Sequence, residues 1–355
     1  MKEEVIIIGG GLAGLTAAYT LIKQGVKPLI LESNNRLGGR IYTKSSQGHQ
    51  FELGATWVFQ DKLLKQLIEE LGLDIYPQYL KGDALIKYKP SMEIQRSPTD
   101  ALMNGTIYHK VKGGTEAIIK ALAAQMPADR MLLNKKVVEL DYQNDCITLT
   151  ILDGSIIKAN KVIITVPPKV ITDQIIITPK LDNHHHMQST HTWMGDSSKF
   201  TVLLDQDYWR SNGLSGFVYS NYGLIREMQD HSSPDGNSFG LVGFLQPTGA
   251  LIDSFEKRKQ AIALELIELF KLEEKNILAY ADFLWGEYFI DPQYQNYNTD
   301  LIPHQNNGHA SYLHPHFDGR LFFAGAETSP SNPGYMEGAV SSAYQATRLL
   351  LGDIM

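Results

Sequence analysis

The sequence predicts an α/β fold with a Rossmann-like nucleotide-binding unit at its start and a second domain beyond it. Three observations predict this. The chain has 355 residues, above the usual size of one domain. Val5-Ile6-Ile7-Ile8 is a continuous β-branched run that leads straight into Gly9-x-Gly11-x-x-Gly14. A second short apolar run, Leu321-Phe322-Phe323, opens a stretch of small residues and a helix near the other end.

The first run reads as a strand buried on both faces of a parallel sheet. Apolar periodicity then predicts a helix from Leu12 to Gln24, stopped by Gly25, and Pro28 to Leu31 reads as the next strand, closed by Glu32. Strand, glycine triplet, helix, strand and acid together make a dinucleotide-binding βαβ unit. Gly9 permits the tight turn, Gly11 lets a pyrophosphate approach the backbone, and Gly14 lets helix and strand pack closely. The helix N-terminus offers free N–H groups and a positive dipole end to phosphate, with Leu12 and Ala13 in its first turn. Glu32 is placed to accept from both ribose hydroxyls.

Arg36-Leu37-Gly38-Gly39-Arg40 follows. A second glycine pair with arginine is superfluous for NAD but common in flavoproteins of the glutathione-reductase type. The planar guanidinium fork of Arg40 suits a diphosphate, so the motif favours FAD.

Composition narrows the function classes. The net charge of −7 argues against nucleic acid as a partner. The single cysteine, Cys146, excludes a disulfide framework and a cysteine metal site, and fits a reducing, cytoplasmic location. Met1 to Ile8 lacks the pattern of a secretory leader, and no apolar run is long enough to span a membrane. His184-His185-His186, with His191 nearby, invites a metal reading. Adjacent helical residues do not share a face, however, and no carboxylate cluster accompanies them, so no metal is expected. Ser254 to Lys271 reads as an amphipathic helix that packs on a sheet.

The far end carries the sharper signal: Gly319-Arg-Leu-Phe-Phe-Ala-Gly325-Ala-Glu327-Thr-Ser-Pro-Ser-Asn-Pro-Gly-Tyr335-Met336-Glu-Gly-Ala339. With the N-terminal motif, this stretch resembles the flavin-dependent amine oxidase family. Other segments match in order. Phe51-Glu-Leu-Gly54-Ala55-Thr56-Trp57 resembles the segment that passes along the flavin, and Val111-Lys-Gly-Gly-Thr115 a glycine-pair helix start. Leu133 to Leu140 resembles the adenine-holding strand, with Val137, or alternatively Val138, at the contact. Val162 to Pro168 resembles a crossing between domains, and Ser198-Lys199-Phe200 the lysine site.

The resemblance implies a two-domain α/β FAD-dependent oxidoreductase whose smaller domain carries a mostly antiparallel sheet. By matched motifs the FAD-binding domain takes 1–78, 107–175 and 286–355, and the substrate domain 79–106 and 176–285. The first insertion is shorter than in the mammalian oxidases, which implies a more open roof over the cavity.

The implied activity is oxidation of an amine: hydride passes from the carbon beside nitrogen to flavin N5, the imine hydrolyses, and oxygen is reduced to hydrogen peroxide. Implied catalytic residues are Lys199, Tyr335 as one aromatic wall for the amine, and Tyr297 as the other, ahead of Tyr294 or Trp285. The Met336 N–H would meet the flavin C2 carbonyl at the helix N-terminus, while Gly325, Glu327 and Trp285 join the FAD-binding residues. Asp291 to Tyr297 lacks the cysteine that anchors flavin in monoamine oxidases, so non-covalent FAD is expected. Partners would be a small amine and oxygen. Two other readings remain: a related flavoprotein acting on a non-amine, and a flavin-binding protein without chemistry. The pairing of Lys199 with Tyr335 favours the amine.

Overall fold

The computed structural model describes residues 2–46, 48–88, 93–247, 249, 252, 254–286 and 301–352. Two large sheets dominate. The first runs in the order Met131–Leu132, Leu29–Leu31, Lys2–Ile8, Ile156–Ile164, Cys146–Ile151, Val137–Gln143, Ile176–Thr178, with Leu321–Phe323 added in parallel to Ile156–Ile164. Its centre is parallel: Ile7 sits between Ile30 and Ile163.

That register explains the unbroken apolar run. Successive side chains in a strand face opposite ways, and here both faces are covered. Val5 and Ile7 enter a core with the helices Leu12–Lys23 and Met336–Leu351. Ile6 and Ile8 enter a second core with the hairpin strands Val137–Gln143 and Cys146–Ile151. Each fully buried isoleucine contributes about 1.5–3 kcal/mol. Gly14 is required by the packing of helix on strand, because a Cβ there would lie 2.0 Å from the Gly9 carbonyl oxygen.

The second sheet runs in the order Ile277–Leu284, Ser198–Leu204, Phe239–Leu245, Ile225–Asp230, Leu214–Ser220, Asp83–Lys87, Gln95–Pro98. Every pairing is antiparallel except that of Leu214–Ser220 with Asp83–Lys87. The helix Phe255–Phe270 lies on it, capped by the Ser254 hydroxyl accepting from Lys257 N at 3.2 Å, with Ile262, Leu266 and Phe270 in the shared core. The amphipathic stretch thus spends its apolar face on the sheet.

Alternation in Ser198–Leu204 divides the labour that matters for function. Phe200, Val202 and Leu204 face that helix-covered core. Lys199, Thr201 and Leu203 face the other way: Thr201 Oγ1 donates to Glu52 O at 2.9 Å, and Leu203 packs with Phe51 and Leu53. The segment 51–57 is therefore held against the second sheet with Lys199 aimed at it. Ile176–Thr178 falls at the start of the second expected insertion, and it pairs with Val137–Gln143 of the first sheet.

Candidate active site

One cavity of about 1490 Å³ runs from the N-terminal glycine turn to the second sheet. At its nucleotide end the walls are backbone. Gly9, Gly11, Leu12 and Ala13 line it beside Gly38 and Gly39. The two glycine segments are stitched together: Gly38 N donates to Gly10 O at 2.8 Å, and Gly11 bridges to Gly38. A Cβ on Gly11 would meet nothing nearer than Gly39 Cα at 3.8 Å, so it would project into open cavity. This is the cradle a diphosphate needs, with helix N–H groups at its base.

The two arginines divide their roles. Arg36 lies behind the loop, donating to Leu37 O and Ile41 O at 3.0 Å and Gly39 O at 2.6 Å, and is absent from the lining. Arg40 lines the cavity, held by a forked pair to Glu327 at 2.5 and 2.8 Å and by Trp193 O at 2.8 Å. Glu327 is fully buried and lies behind Arg40 rather than at the cavity wall. Its Oε1 also accepts from Trp193 N at 3.1 Å. The acid therefore positions the guanidinium and the 193 loop together. Gly14 also lies off the lining, in its packing role.

Glu32 lines the cavity at the end of its strand. Its Oε2 accepts from Gly10 N at 2.7 Å, and its Oε1 accepts from Asn34 N and Nδ2, each at 2.9 Å. The carboxylate thus braces the glycine turn and is also available to a ribose. Val137 is nearby on the lining, with Lys135 and Lys136.

At the other end, side chains make the walls. Gly54, Ala55, Thr56 and Trp57 line one side. Lys199 is 1% exposed, and donates to Gly54 O and Thr56 Oγ1. Its ammonium lies 5.0 Å from the Trp57 ring centre and 5.4 Å from that of Phe244. Burial lowers its pKa to about 8, while Glu52 and Glu227 pull it back up. Glu52 is itself fully buried, which raises its pKa. It accepts from Thr43 Oγ1 at 2.7 Å and from Thr115 N and Oγ1 at 2.7 and 2.8 Å.

Tyr335 caps the N-terminus of Met336–Leu351, and both Tyr335 and Met336 line the cavity. The Tyr335 ring is flanked by Phe59 edge-on at 6.1 Å, Trp193 at 6.0 Å and His304 stacked at 5.7 Å; Trp193 and His304 stack at 4.0 Å. Trp285 is buried on the lining, with Nε1 donating to Leu53 O at 2.8 Å and its ring against Phe283 at 4.7 Å. Tyr294 and Tyr297 lie outside the described residues. Gly325 lines the cavity near the end of Leu321–Phe323.

Residues 12–102 and 99–351 match the family described as flavin containing amine oxidoreductase. The chain belongs to that family. Flavin-containing amine oxidase B of Sus scrofa is 24% identical, with 99% of this chain and 86% of that protein covered. Among solved structures, cyclohexylamine oxidase from Brevibacterium oxydans aligns with a TM-score of 0.84 at 18% identity, and putrescine oxidase bound to putrescine with 0.79 at 19%. Each alignment covers 99% of both chains. These likenesses give this flavin amine oxidoreductase its two-domain fold.

Sequence reasoning missed Phe59, Trp193, Tyr108, Phe217, Phe244, Glu227 and Gln229 on the cavity wall, and His304 stacked behind Trp193 and Tyr335. Strand pairing puts Phe244 beside Lys199 and Glu227 beside Phe244, neighbours that appear only once the partner strands are known. No sequence signal marked the loop residues Trp193 and His304. The histidine run forms a short helix, where the His186 ring lies tilted against His185 and stacked on His309, at 3.8 Å each. Among the described residues no group of three His, Cys, Asp or Glu side chains is placed to hold a metal. Among them, too, no helix is long and apolar enough to cross a membrane.

Proposed function

We propose that this protein oxidises a small amine with non-covalently held FAD and oxygen as acceptor. The observation that carries the reading is Lys199, buried between the rings of Trp57 and Phe244 on a cavity whose other end is a glycine cradle. When bound, FAD supplies the two-electron oxidation of the amine, and oxygen takes those electrons on.

The protein's part is binding, orientation and charge. Gly9 to Ala13 with Gly38 and Gly39 would hold the diphosphate, helped by Arg40 on its Glu327 brace. Glu32 would take the ribose, Val137 the adenine end, and the N-terminus of Met336–Leu351 the negative end of the flavin ring. Tyr335, Phe59, Trp57 and Phe244 exclude water and present ring faces, which favour a neutral amine by desolvation and attract partial positive charge. Lys199 places a cation where negative charge would develop on oxygen.

Non-covalent binding is supported by Cys146, which starts the strand Cys146–Ile151 and lies off the cavity lining. The domain division at 1–78, 107–175 and 286–355 against 79–106 and 176–285 remains our proposal, as does a cytoplasmic location. Mixing the FAD-loaded protein anaerobically with a panel of amines tests the reading: an amine should bleach the flavin band, and bleaching by a polyene or porphyrinogen with none by amines would overturn it.

A further inference from the structure

The reaction as described leaves one buried amine without a task. Lys110 is 3% exposed and lies off the cavity wall. It stands on the strand His109–Val111, between Trp57–Val58 and Ile75–Pro77. Lys110 pairs with Trp57 on one side and with Tyr76 on the other, so the three side chains form one row on one face of this small sheet. Trp57 is the end of the row that reaches the cavity.

The row is tied to the second large sheet at a single carbonyl. Lys110 Nζ donates to Asp230 O at 3.1 Å, and Gln78 Nε2 donates to the same oxygen at 2.8 Å. Gln78 Oε1 in turn accepts from Trp57 Nε1 at 3.0 Å. A carbonyl oxygen has two lone pairs, and the two donors share them. The Asp230 carboxylate is occupied elsewhere, by Trp209 Nε1 at 2.8 Å, Arg210 Nε at 3.0 Å and Ser232 N at 2.9 Å. Lys110 therefore has a carbonyl for a partner and, among the described residues, no ion pair.

An ammonium buried on a carbonyl dipole alone is costly. A methionine of similar length would fill the space without that cost. The neighbours show what the charge acts on. The Lys199 ammonium lies 5.0 Å from the Trp57 ring centre, and the field of Lys110 reaches it. Glu52 acts on both lysines. We propose that Lys110 is a positioning residue for Lys199: through the Asp230 carbonyl and Gln78 it fixes the indole beside the Lys199 ammonium, and its own charge acts on Lys199 from outside the cavity.

This rests on the role given to Lys199 in the oxygen step and deepens it. Burial lowers the pKa of Lys110 to about 8, with Asp230 and Glu52 pulling it up and Arg210 pushing it down. Lys199 faces Glu52 and Glu227 besides Lys110. His231 is near both lysines, and burial holds it neutral there. Burial pushes Tyr76 up, so it too keeps out of that window. Two ammoniums that repel each other lose their protons as a pair. Removing the charge of Lys110 favours the charged form of Lys199 and so raises its pKa.

The test follows reoxidation alone and so stands apart from the choice of substrate. The flavin of the FAD-loaded protein is reduced by light and mixed with oxygen in stopped flow, over a pH series spanning the alkaline limb at about 8. Lys110→Met should move that limb up by roughly half to one pH unit, the effect of a unit charge about 10 Å away at the effective dielectric of a protein. Its Tm should be no lower than that of the wild type. Lys110→Arg keeps the charge and should leave the limb in place. Gln78→Met keeps both lysines, and should leave the limb in place while slowing reoxidation about 2- to 10-fold, the scale of one lost hydrogen bond. A limb unmoved in Lys110→Met, or moved equally in Lys110→Arg, overturns the inference; a lower Tm with an unmoved limb marks Lys110 as structural only. Wild-type rates in Gln78→Met overturn the positioning of Trp57. If Lys199→Met keeps the limb, the role of Lys199 itself falls and that of Lys110 with it.

Discussion

The two ends of the cavity are built on different principles. The nucleotide end is made of backbone from short, contiguous stretches: glycines where a Cβ would intrude, a helix N-terminus, and Glu32 closing the second strand. The reaction end is made of side chains from strands far apart in sequence, Trp57, Lys199, Glu227 and Phe244, and from the loop that carries Trp193. One end depends on what is absent from the residues and the other on what they carry. The first should therefore tolerate change poorly in folding and cofactor retention, the second in rate and selectivity.

The largest expected effect crosses that division. Glu327 is fully buried and pairs with Arg40 while also accepting from Trp193 N. Glu327→Ala leaves a partly buried guanidinium without its carboxylate and should cost about 3–5 kcal/mol of stability, seen as a lower Tm and loss of FAD. A Tm within a degree or two of wild type would show that the pair does not tie the two ends together.

Lys199→Met should strike the reaction end alone. We expect reoxidation by oxygen to slow by roughly 10²-fold, the scale for losing one stabilising charge or donor, with anaerobic reduction by substrate much less affected. Equal losses in both half-reactions in stopped flow would contradict the role. The same residue predicts a pH dependence. Its pKa in the fold is lowered to about 8 from 10.5, so the reoxidation rate of the wild type should fall as pH rises through about 8 and be flat in Lys199→Met. Between those two values the unfolded chain holds a proton that the folded chain lacks, so this residue's contribution to stability rises with pH across that window.

At the nucleotide end, Glu32→Ala should weaken FAD binding by about 1.5–3 kcal/mol, because it removes a ribose acceptor and leaves Gly10 N without its partner. Unchanged retention on gel filtration would confine Glu32 to bracing the turn. The smallest effect is expected from Cys146→Ser, which should leave flavin content unaltered. Acid precipitation of either protein should release the flavin, and colour left in the pellet would refute non-covalent binding.

Legibility in the sequence follows the same division. The βαβ unit was readable because each of its constraints is local: a buried strand demands a β-branched run, a close approach demands glycine, and a helix end demands a stop. Pairing Arg36–Arg40 with the 319–339 stretch was readable as motif, but the motif did not reveal that Arg40 and Glu327 bind each other. That contact joins residues at opposite ends of the chain, and spacing carries no record of it. Lys199 was recognisable by its neighbours, although its burial depends on alternation in a strand whose other face is covered by Phe255–Phe270. Glu227 came into place through a bulge, and a one-residue shift in register is invisible until the partner strand is known.

Anaerobic mixing of the FAD-loaded protein with primary amines, followed by its absorbance, tests the central claim most directly. Amine oxidation predicts that the flavin band bleaches with an amine and that admitting oxygen restores it with formation of hydrogen peroxide. A flavin that stays oxidised against every amine, with the protein folded and FAD bound, would contradict it.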